Sequence, residues 1–233
     1  MKLSNSLDED ETNILLLFFG LVILTVFFIL INLYFEYFLG IYDYYFISGY
    51  WVFAVIPLLY YYYYFLQKRG RVSFSELGLK WEGLARGIIF GCVGGILSGI
   101  VGWMFLDIWG PPVAYLPLNW VVIYLFVSVL SAPLREEIMF RGIFWAVIER
   151  AAKLMEKRLK RKIDLFKKDI VIIILISLGF LSVHIGRSQE LLFTKLLFDS
   201  FVFSIVYWKT RNLAAPVIAH SVSNLFVLVR IYL

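Results

Sequence analysis

The stretch APLREEIMFRG, residues 132–142, places charged side chains inside one of the most apolar parts of the chain. Arg135, Glu136, Glu137 and Arg141 are flanked on both sides by segments rich in Leu, Val, Phe and Ile. Ionisable groups within a membrane-spanning helix are costly, and they usually face the interior of a helix bundle. The stretch therefore predicts a membrane helix and a functional site on it.

The rest of the composition agrees with a membrane protein. Hydrophobic residues make up 61% of the 233 positions, whereas soluble domains average about 45–50%. They form long runs of the ~20 residues that a bilayer core requires. The longest polar stretch, about 150–169, is too short to be a soluble domain. We therefore predict an all-α, polytopic transmembrane bundle with no separate soluble domain.

The apolar runs predict about seven spans, within a range of six to eight. We expect an N-terminal hairpin of two spans over 1–72 and a helical core over 73–233. The amphipathic segment SFSELGLKWEG, 73–83, is predicted to lie in the plane of the membrane interface. The predicted spans are 14–39, 44–66, 84–106, 119–149, 170–187, 191–208 and 213–231.

The basic residues predict the orientation. They follow the second, fourth and sixth spans, whereas the loops after the first and third spans contain no Lys or Arg. The positive-inside rule then places the N-terminus in the cytoplasm of a multi-pass protein, in the cell membrane or an endomembrane. The formal net charge of +5 comes from these loops. We interpret it as a topology signal and a contact with anionic lipid, not as a nucleic-acid surface.

The third span carries a face of small residues. Gly87, Gly91, Gly95 and Gly99 are spaced by four, which is typical of close helix–helix contact in membranes. We favour packing within the bundle over a homodimer seam, and the sequence predicts no oligomeric state.

Three clusters of polar residues lie in the late apolar segments. Glu137 and Arg141 are four residues apart, so they share a helix face and can pair, while Glu136 points elsewhere. The chain has two histidines, both within apolar segments. Phe180 precedes His184 by one turn and can pack against its ring, and His220 shares a helix face with Asn224.

Together these groups can hydrolyse a peptide bond. A carboxylate in a dry site is a better base, and a neighbouring histidine can share the proton. Glu136 with His184 would activate a water. A second histidine and an amide, His220 and Asn224, would donate hydrogen bonds to the developing oxyanion.

These motifs resemble those of a known family. EEIMFR (136–141) fits E-E-x-x-x-R, FLSVH (180–184) fits F-x-x-x-H, and HSVSN (220–224) fits H-x-x-x-N. Their order and membrane setting are similar to the CAAX-protease and bacteriocin-processing family of intramembrane endopeptidases, whose eukaryotic members trim prenylated CAAX proteins. ELGLK, 76–80, is a further similarity. The resemblance covers roughly 73–231.

The resemblance implies a helical bundle with a conical catalytic cavity open to the cytosol. The implied substrate is a lipidated or otherwise membrane-associated protein or peptide, cut near its C-terminus. The implied roles are activation of water by Glu136 and His184, and support of the site by Glu137 and Arg141. His220 and Asn224 would form the oxyanion hole.

The metal question stays open between two mechanisms. Family members have been discussed both as metalloproteases and as metal-free glutamate proteases. The sequence has no H-E-x-x-H pair. We favour a reaction with no cofactor, because Asn224 is a poor zinc ligand and a good oxyanion donor. The alternative is a zinc ion held by Glu136, His184 and His220.

Two other functions remain as alternatives. A non-catalytic membrane scaffold or immunity protein would bind a partner without needing all six polar residues. A proton-coupled transporter could use the same intramembrane Glu, Arg and His, but the two halves show no inverted repeat.

One expectation conflicts with the proposed pairing. The predicted span ends place Glu136 near the cytoplasmic side and His184 about 20 Å away from it, at ~1.5 Å per residue. A bend at Pro133, wrong span ends, or helices that start in the cytosol would reconcile the two.

Overall fold

The computed structural model of the protein describes residues 74–106, 125–160, 162–184 and 190–232, and all of its regular structure is helical. A 3₁₀ turn, Phe74–Leu77, comes first. The helices are α1 (Leu84–Leu106), α2 (125–158), α3 (Leu165–Ser182), α4 (Glu190–Thr210) and α5 (Ala214–Tyr232). The all-α prediction is thus confirmed for the described residues.

The helix that carries the opening stretch, α2, changes its hydrogen-bonding pattern along its length. Leu125–Ser131 and Ile138–Phe144 are π-helical, whereas Ala132–Glu137 and Trp145–Arg158 are α-helical. Such wide turns inside a helix are frequent at functional sites. Pro133 does not break the helix, because the chain remains helical on both sides of it.

Three predicted spans agree closely with observed helices. The third span coincides with α1, and the last two differ from α4 and α5 by at most two residues at either end. The predicted spans 14–39 and 44–66 lie outside the described residues. The count of seven spans and the N-terminal hairpin therefore stay predictions.

The expected separation of Glu136 from His184 is wrong, because α2 and α3 extend beyond their apolar segments. α2 continues past 149 to Arg158, and α3 begins before 170, at Leu165. At ~1.5 Å per residue, Glu136 lies about 33 Å from Arg158, and His184 about 28 Å from Leu165. The two residues therefore stand at similar heights in the bundle.

The glycine face of α1 packs against α5 within the chain. A Cβ atom on Gly91 would come within 2.7 Å of the Ala215 carbonyl oxygen, and one on Gly95 within 2.7 Å of the Ala219 carbonyl oxygen. The opposite face of α1 presents large apolar side chains, such as Val93. Small residues inside and large apolar residues outside are the arrangement of a helix that faces lipid.

Among the described helices, α1 alone meets the length and hydropathy of a membrane span. Its segment Leu84–Met104 has a mean hydropathy of 1.9, and Ala214–Val229 in α5 is a shorter apolar helix. Of the other described helices, α2 carries the charged residues of the predicted site, and α4 carries Lys195 and Asp199.

A core of buried side chains joins α2, α3 and α4. Phe140 packs edge-on against Phe180, and Trp145 packs edge-on against Tyr207, with ring centroids 5.2 and 5.1 Å apart. The segment 73–83 contributes Leu77 to this core, while its Trp81 is exposed. These contacts fix the relative positions of the helices around the polar site.

The turn at Gly78 ties this segment to the start of α5. Gly78 has φ of 79°, and its carbonyl oxygen accepts a hydrogen bond from the Leu213 N–H at 2.9 Å. A Cβ atom here would lie 2.9 Å from the Tyr207 ring. Glycine is therefore required both by the backbone conformation and by the space.

Candidate active site

The polar motifs of three helices meet at one point in the bundle. Glu136 Oε2 of α2 lies 3.9 Å from Nε2 of His184, at the end of α3. The same oxygen lies 4.0 Å from Nε2 of His220 on α5. The structure thus brings together the carboxylate and both histidines that the sequence predicted as reactive groups.

Glu137 is buried and contacts both His220 and Arg141. Its Oε1 lies 2.8 Å from Nδ1 of His220, and its Oε2 lies 3.0 Å from Nη1 of Arg141. The side chains of Glu137 and Arg141 are fully buried, as helical spacing led us to expect of a pair. The bond to His220 was not predicted, since it joins two helices far apart in sequence.

Each histidine presents its Nε2 atom to Glu136. Nδ1 of His184 lies 2.8 Å from the Phe180 carbonyl oxygen, which can only accept, so Nδ1 carries the proton. Nδ1 of His220 lies 2.8 Å from a carboxylate oxygen of Glu137 and is placed to donate to it. When either ring is neutral, its Nε2 is therefore a hydrogen-bond acceptor.

Aromatic rings hold both imidazoles in place. Phe180 stacks on His184 with centroids 4.6 Å apart at an interplanar angle of 30°, as its position one turn earlier predicted. Phe203 of α4 stacks on His220 at 4.9 Å and 23°. The rings therefore restrict rotation of both histidine side chains.

Arg141 is anchored to α4 by three further groups. Its Nη2 donates to the Ser200 side chain at 2.6 Å and to the Ser200 carbonyl at 2.8 Å, and its Nε donates to Ser204 at 3.3 Å. Because guanidinium is planar and cationic, these bonds fix the orientation of the Glu137 carboxylate.

Sequence reasoning missed the contribution of α4. Ser200, Phe203 and Ser204 all face the site, and both serines are fully buried. The available signal was the spacing of two serines by four in an apolar helix. That spacing indicates a polar stripe but not the partner it meets.

Asn224 lies one turn beyond His220 on α5. Its side-chain amide donates a hydrogen bond to the Ser128 carbonyl oxygen of α2 at 2.7 Å. This contact uses one of the two amide N–H groups and was not predicted. The hydrogen bond therefore fixes the position of Asn224 beside His220, with which it shares a helix face.

The carboxylate oxygen and the two histidine nitrogens stand farther apart than the ligands of a bound zinc ion. Two donors on one tetrahedral zinc, each about 2.0–2.1 Å from the metal, stand about 3.4 Å apart. The corresponding separations here are 3.9 and 4.0 Å. Within the described ranges, no group of three or more His, Cys, Asp or Glu residues is placed to hold a metal ion.

The fold and the site define a class: a helical protein with apolar outer faces and a buried centre of glutamate and histidine. Residues 118–226 match the family model described as Type II CAAX prenyl endopeptidase Rce1-like. The matched segment contains all six predicted site residues, and the match confirms the resemblance indicated by the three motifs. The family is one of membrane-embedded proteases. No curated protein and no solved structure matches the chain.

Proposed function

We propose that the protein is an intramembrane endopeptidase. The substrate is a prenylated CAAX-type peptide, or another membrane-associated peptide, cut near its C-terminus. The observation that carries the proposal is the convergence of Glu136, His184 and His220 from three helices on one point, with separations of 3.9 and 4.0 Å. The family match supports both the reaction class and the membrane setting.

The separations suit a reaction on water. They are too long for direct hydrogen bonds, and they fall in the range that one bridging water spans. A water between Glu136 and His184 would donate to the carboxylate and to the neutral Nε2. Its oxygen lone pair would then be available to attack the carbonyl carbon of a bound substrate.

The steps follow from this placement. The water oxygen attacks the scissile carbonyl carbon while Glu136 takes one of its protons, which gives a tetrahedral oxyanion. The proton held by Glu136 then passes to the amide nitrogen as the C–N bond breaks. The immediate products are a carboxylic acid and a free amine. The acid then gives its proton to the amine, which leaves a carboxylate and an ammonium group. His184 orients the water and accepts its second hydrogen bond.

His220 must be doubly protonated to stabilise the oxyanion. Its Nδ1 proton already donates to Glu137, so a hydrogen bond from Nε2 requires the imidazolium form. With Glu136, Glu137, Arg141 and His220 all ionised, the site carries no net charge. Charge balance reduces the cost of placing four ions inside an apolar bundle.

Asn224 is the second donor in the proposed oxyanion hole. A neutral amide keeps its N–H donors whatever the protonation of its neighbours. Removing one donor of this kind from a hydrolase costs about 10²–10³ in kcat.

The test uses the purified full chain and a fluorogenic farnesylated CAAX peptide. Wild type, Glu136→Ala and His184→Ala are compared with and without a zinc chelator, and the same peptide without its farnesyl group serves as the substrate control. We expect cleavage by wild type alone, unchanged by chelator. Full activity in Glu136→Ala would overturn the proposed mechanism.

The remaining outcomes separate the alternatives. Loss of cleavage with chelator and its recovery with zinc would replace the metal-free mechanism by a zinc one. Cleavage of both peptides at equal rates would show that the enzyme does not recognise the prenyl group. If folded wild type cleaves neither peptide, the proposed substrate is wrong.

A further inference from the structure

The carbonyl group of Ser128 occupies an unusual place in α2. It lies in the π-helical segment Leu125–Ser131, in which a carbonyl oxygen accepts from the N–H five residues later. For Ser128 that residue is Pro133, which has no N–H. The proline therefore removes the donor that the local helical pattern would supply.

Asn224 provides the replacement donor. Its amide reaches across from α5 to the Ser128 carbonyl oxygen at 2.7 Å. Within a membrane, backbone groups released by proline are satisfied by side chains of neighbouring helices. In a low-dielectric interior such a hydrogen bond is stronger than in water. The amide plane of Asn224 is thereby fixed by a backbone atom.

We propose that Pro133 is a positioning residue for catalysis. By withholding an N–H, it keeps the Ser128 carbonyl available to Asn224, which sets the direction of the remaining amide N–H. This inference rests on the proposed function of Asn224 as an oxyanion donor. It assigns Pro133 a role different from the bend or break that its sequence position suggested.

The substitution Pro133→Ala tests this role, because it returns an N–H that competes for Ser128. We expect kcat to fall by about tenfold or more, up to the about 10²–10³-fold loss expected for removing a donor. KM should stay near the wild-type value, since the amide acts on the transition state. An unchanged kcat would overturn the proposal.

Pro216→Ala is the matched control. Pro216 is a buried proline in the first turn of α5, the helix that carries Asn224. An N–H in the first turn has no acceptor within its own helix, so alanine there introduces no competitor. We expect wild-type kcat from this variant. A loss equal to that of Pro133→Ala would show a general effect of proline removal and contradict the assignment.

A double-mutant cycle separates positioning from a general loss of structure. If Pro133 acts through Asn224, then Pro133→Ala should add no further loss of kcat to Asn224→Ala. Losses that multiply would mean that the proline acts by another route. Full activity in Asn224→Ala would remove the proposed role of both residues.

A spectroscopic readout makes the test independent of activity. The side-chain amide of Asn224 gives a ¹⁵N–¹H signal pair in protein labelled at asparagine, which is assigned by its disappearance in Asn224→Ala. We expect this pair to shift in Pro133→Ala and to stay in place in Pro216→Ala. If the pair shifts in neither variant, the proposed role of Pro133 is overturned, whether or not wild type cleaves a peptide. If wild type cleaves no peptide, that result counts against the proposed function and not against the role of Pro133.

Discussion

Two polar clusters lie buried in the same bundle, and they are built differently. In one, Glu136 stands 3.9 and 4.0 Å from the two histidines it faces. In the other, Asp199 accepts directly from Lys195 and Ser98, and Ser98 lies 3.0 Å from Ser223 through their hydroxyl oxygens. In the first cluster these separations exceed the length of a direct hydrogen bond, whereas the second cluster is closed by direct contacts.

The closed cluster joins the helices that frame the site. Ser98 belongs to α1, Lys195 and Asp199 to α4, and Ser223 to α5. Ser223 lies next to Asn224 in sequence, and Asp199 lies next to Ser200, which binds Arg141. Direct contacts thus hold the scaffold together, while the wider separations lie at the proposed active site. The following predictions test this contrast.

The largest effect on activity should come from Glu136→Gln. The amide keeps the shape of the side chain but cannot take a proton from water, so cleavage should fall by about 10³-fold or more. The thermal unfolding midpoint in detergent should stay near that of wild type. A large drop in the midpoint would mean that Glu136 stabilises the fold. It would contradict the distinction between the two clusters.

The largest effect on stability should come from Asp199→Ala. This change leaves the ammonium group of Lys195 buried without its carboxylate, which costs about 3–5 kcal/mol. Unfolding in denaturant, followed by circular dichroism, measures the loss. The double variant Lys195→Met/Asp199→Leu removes both charges and should recover most of the stability and the cleavage activity. If the double variant is stable but inactive, the closed cluster takes part in the chemistry.

A smaller effect is expected from Gly95→Ala on α1. The new Cβ would meet the Ala219 carbonyl oxygen at 2.7 Å and Val222 Cβ at 2.6 Å. Pushing α5 away should cost about 1–3 kcal/mol of stability, and it should lower kcat because α5 carries His220. Gly179→Ala is the control, since its Cβ would meet only the Phe140 ring at 3.7 Å. Equal losses in the two variants would argue against close packing of α1 on α5.

The smallest effect is expected at an exposed ion pair. Arg150 lies 3.1 Å from Glu76, and both side chains are partly exposed. Glu76→Gln should change stability by less than about 1 kcal/mol and leave cleavage unchanged. A loss of activity comparable to that of Glu136→Gln would show that the 74–77 turn takes part in the reaction.

The sequence predicted those features that depend on spacing along one helix. The bounds of α1, α4 and α5 follow from apolar runs with polar flanks, and the pairs Glu137–Arg141 and Phe180–His184 follow from the helical repeat. The extension of α2 to Arg158 was not predicted, because polar helical residues give no hydropathy signal. This is why the expected height of Glu136 was wrong.

The sequence did not predict which residues would contact one another between helices. The bond from Glu137 to His220, and those from Arg141 to the serines of α4, depend on how the helices rotate against one another. The bond from Asn224 to Ser128 depends in addition on a π-helical turn that residue spacing does not reveal. Residue types predicted the participants of the site, and packing determined their partners.

The most direct test of the central claim is identification of the product by mass spectrometry. Wild type and Glu136→Gln, matched for thermal unfolding midpoint, are incubated with the farnesylated CAAX peptide. We predict that wild type produces one shorter peptide with a new carboxyl terminus and that Glu136→Gln leaves the substrate intact. The same product at the same rate from both proteins would contradict a reaction centred on Glu136.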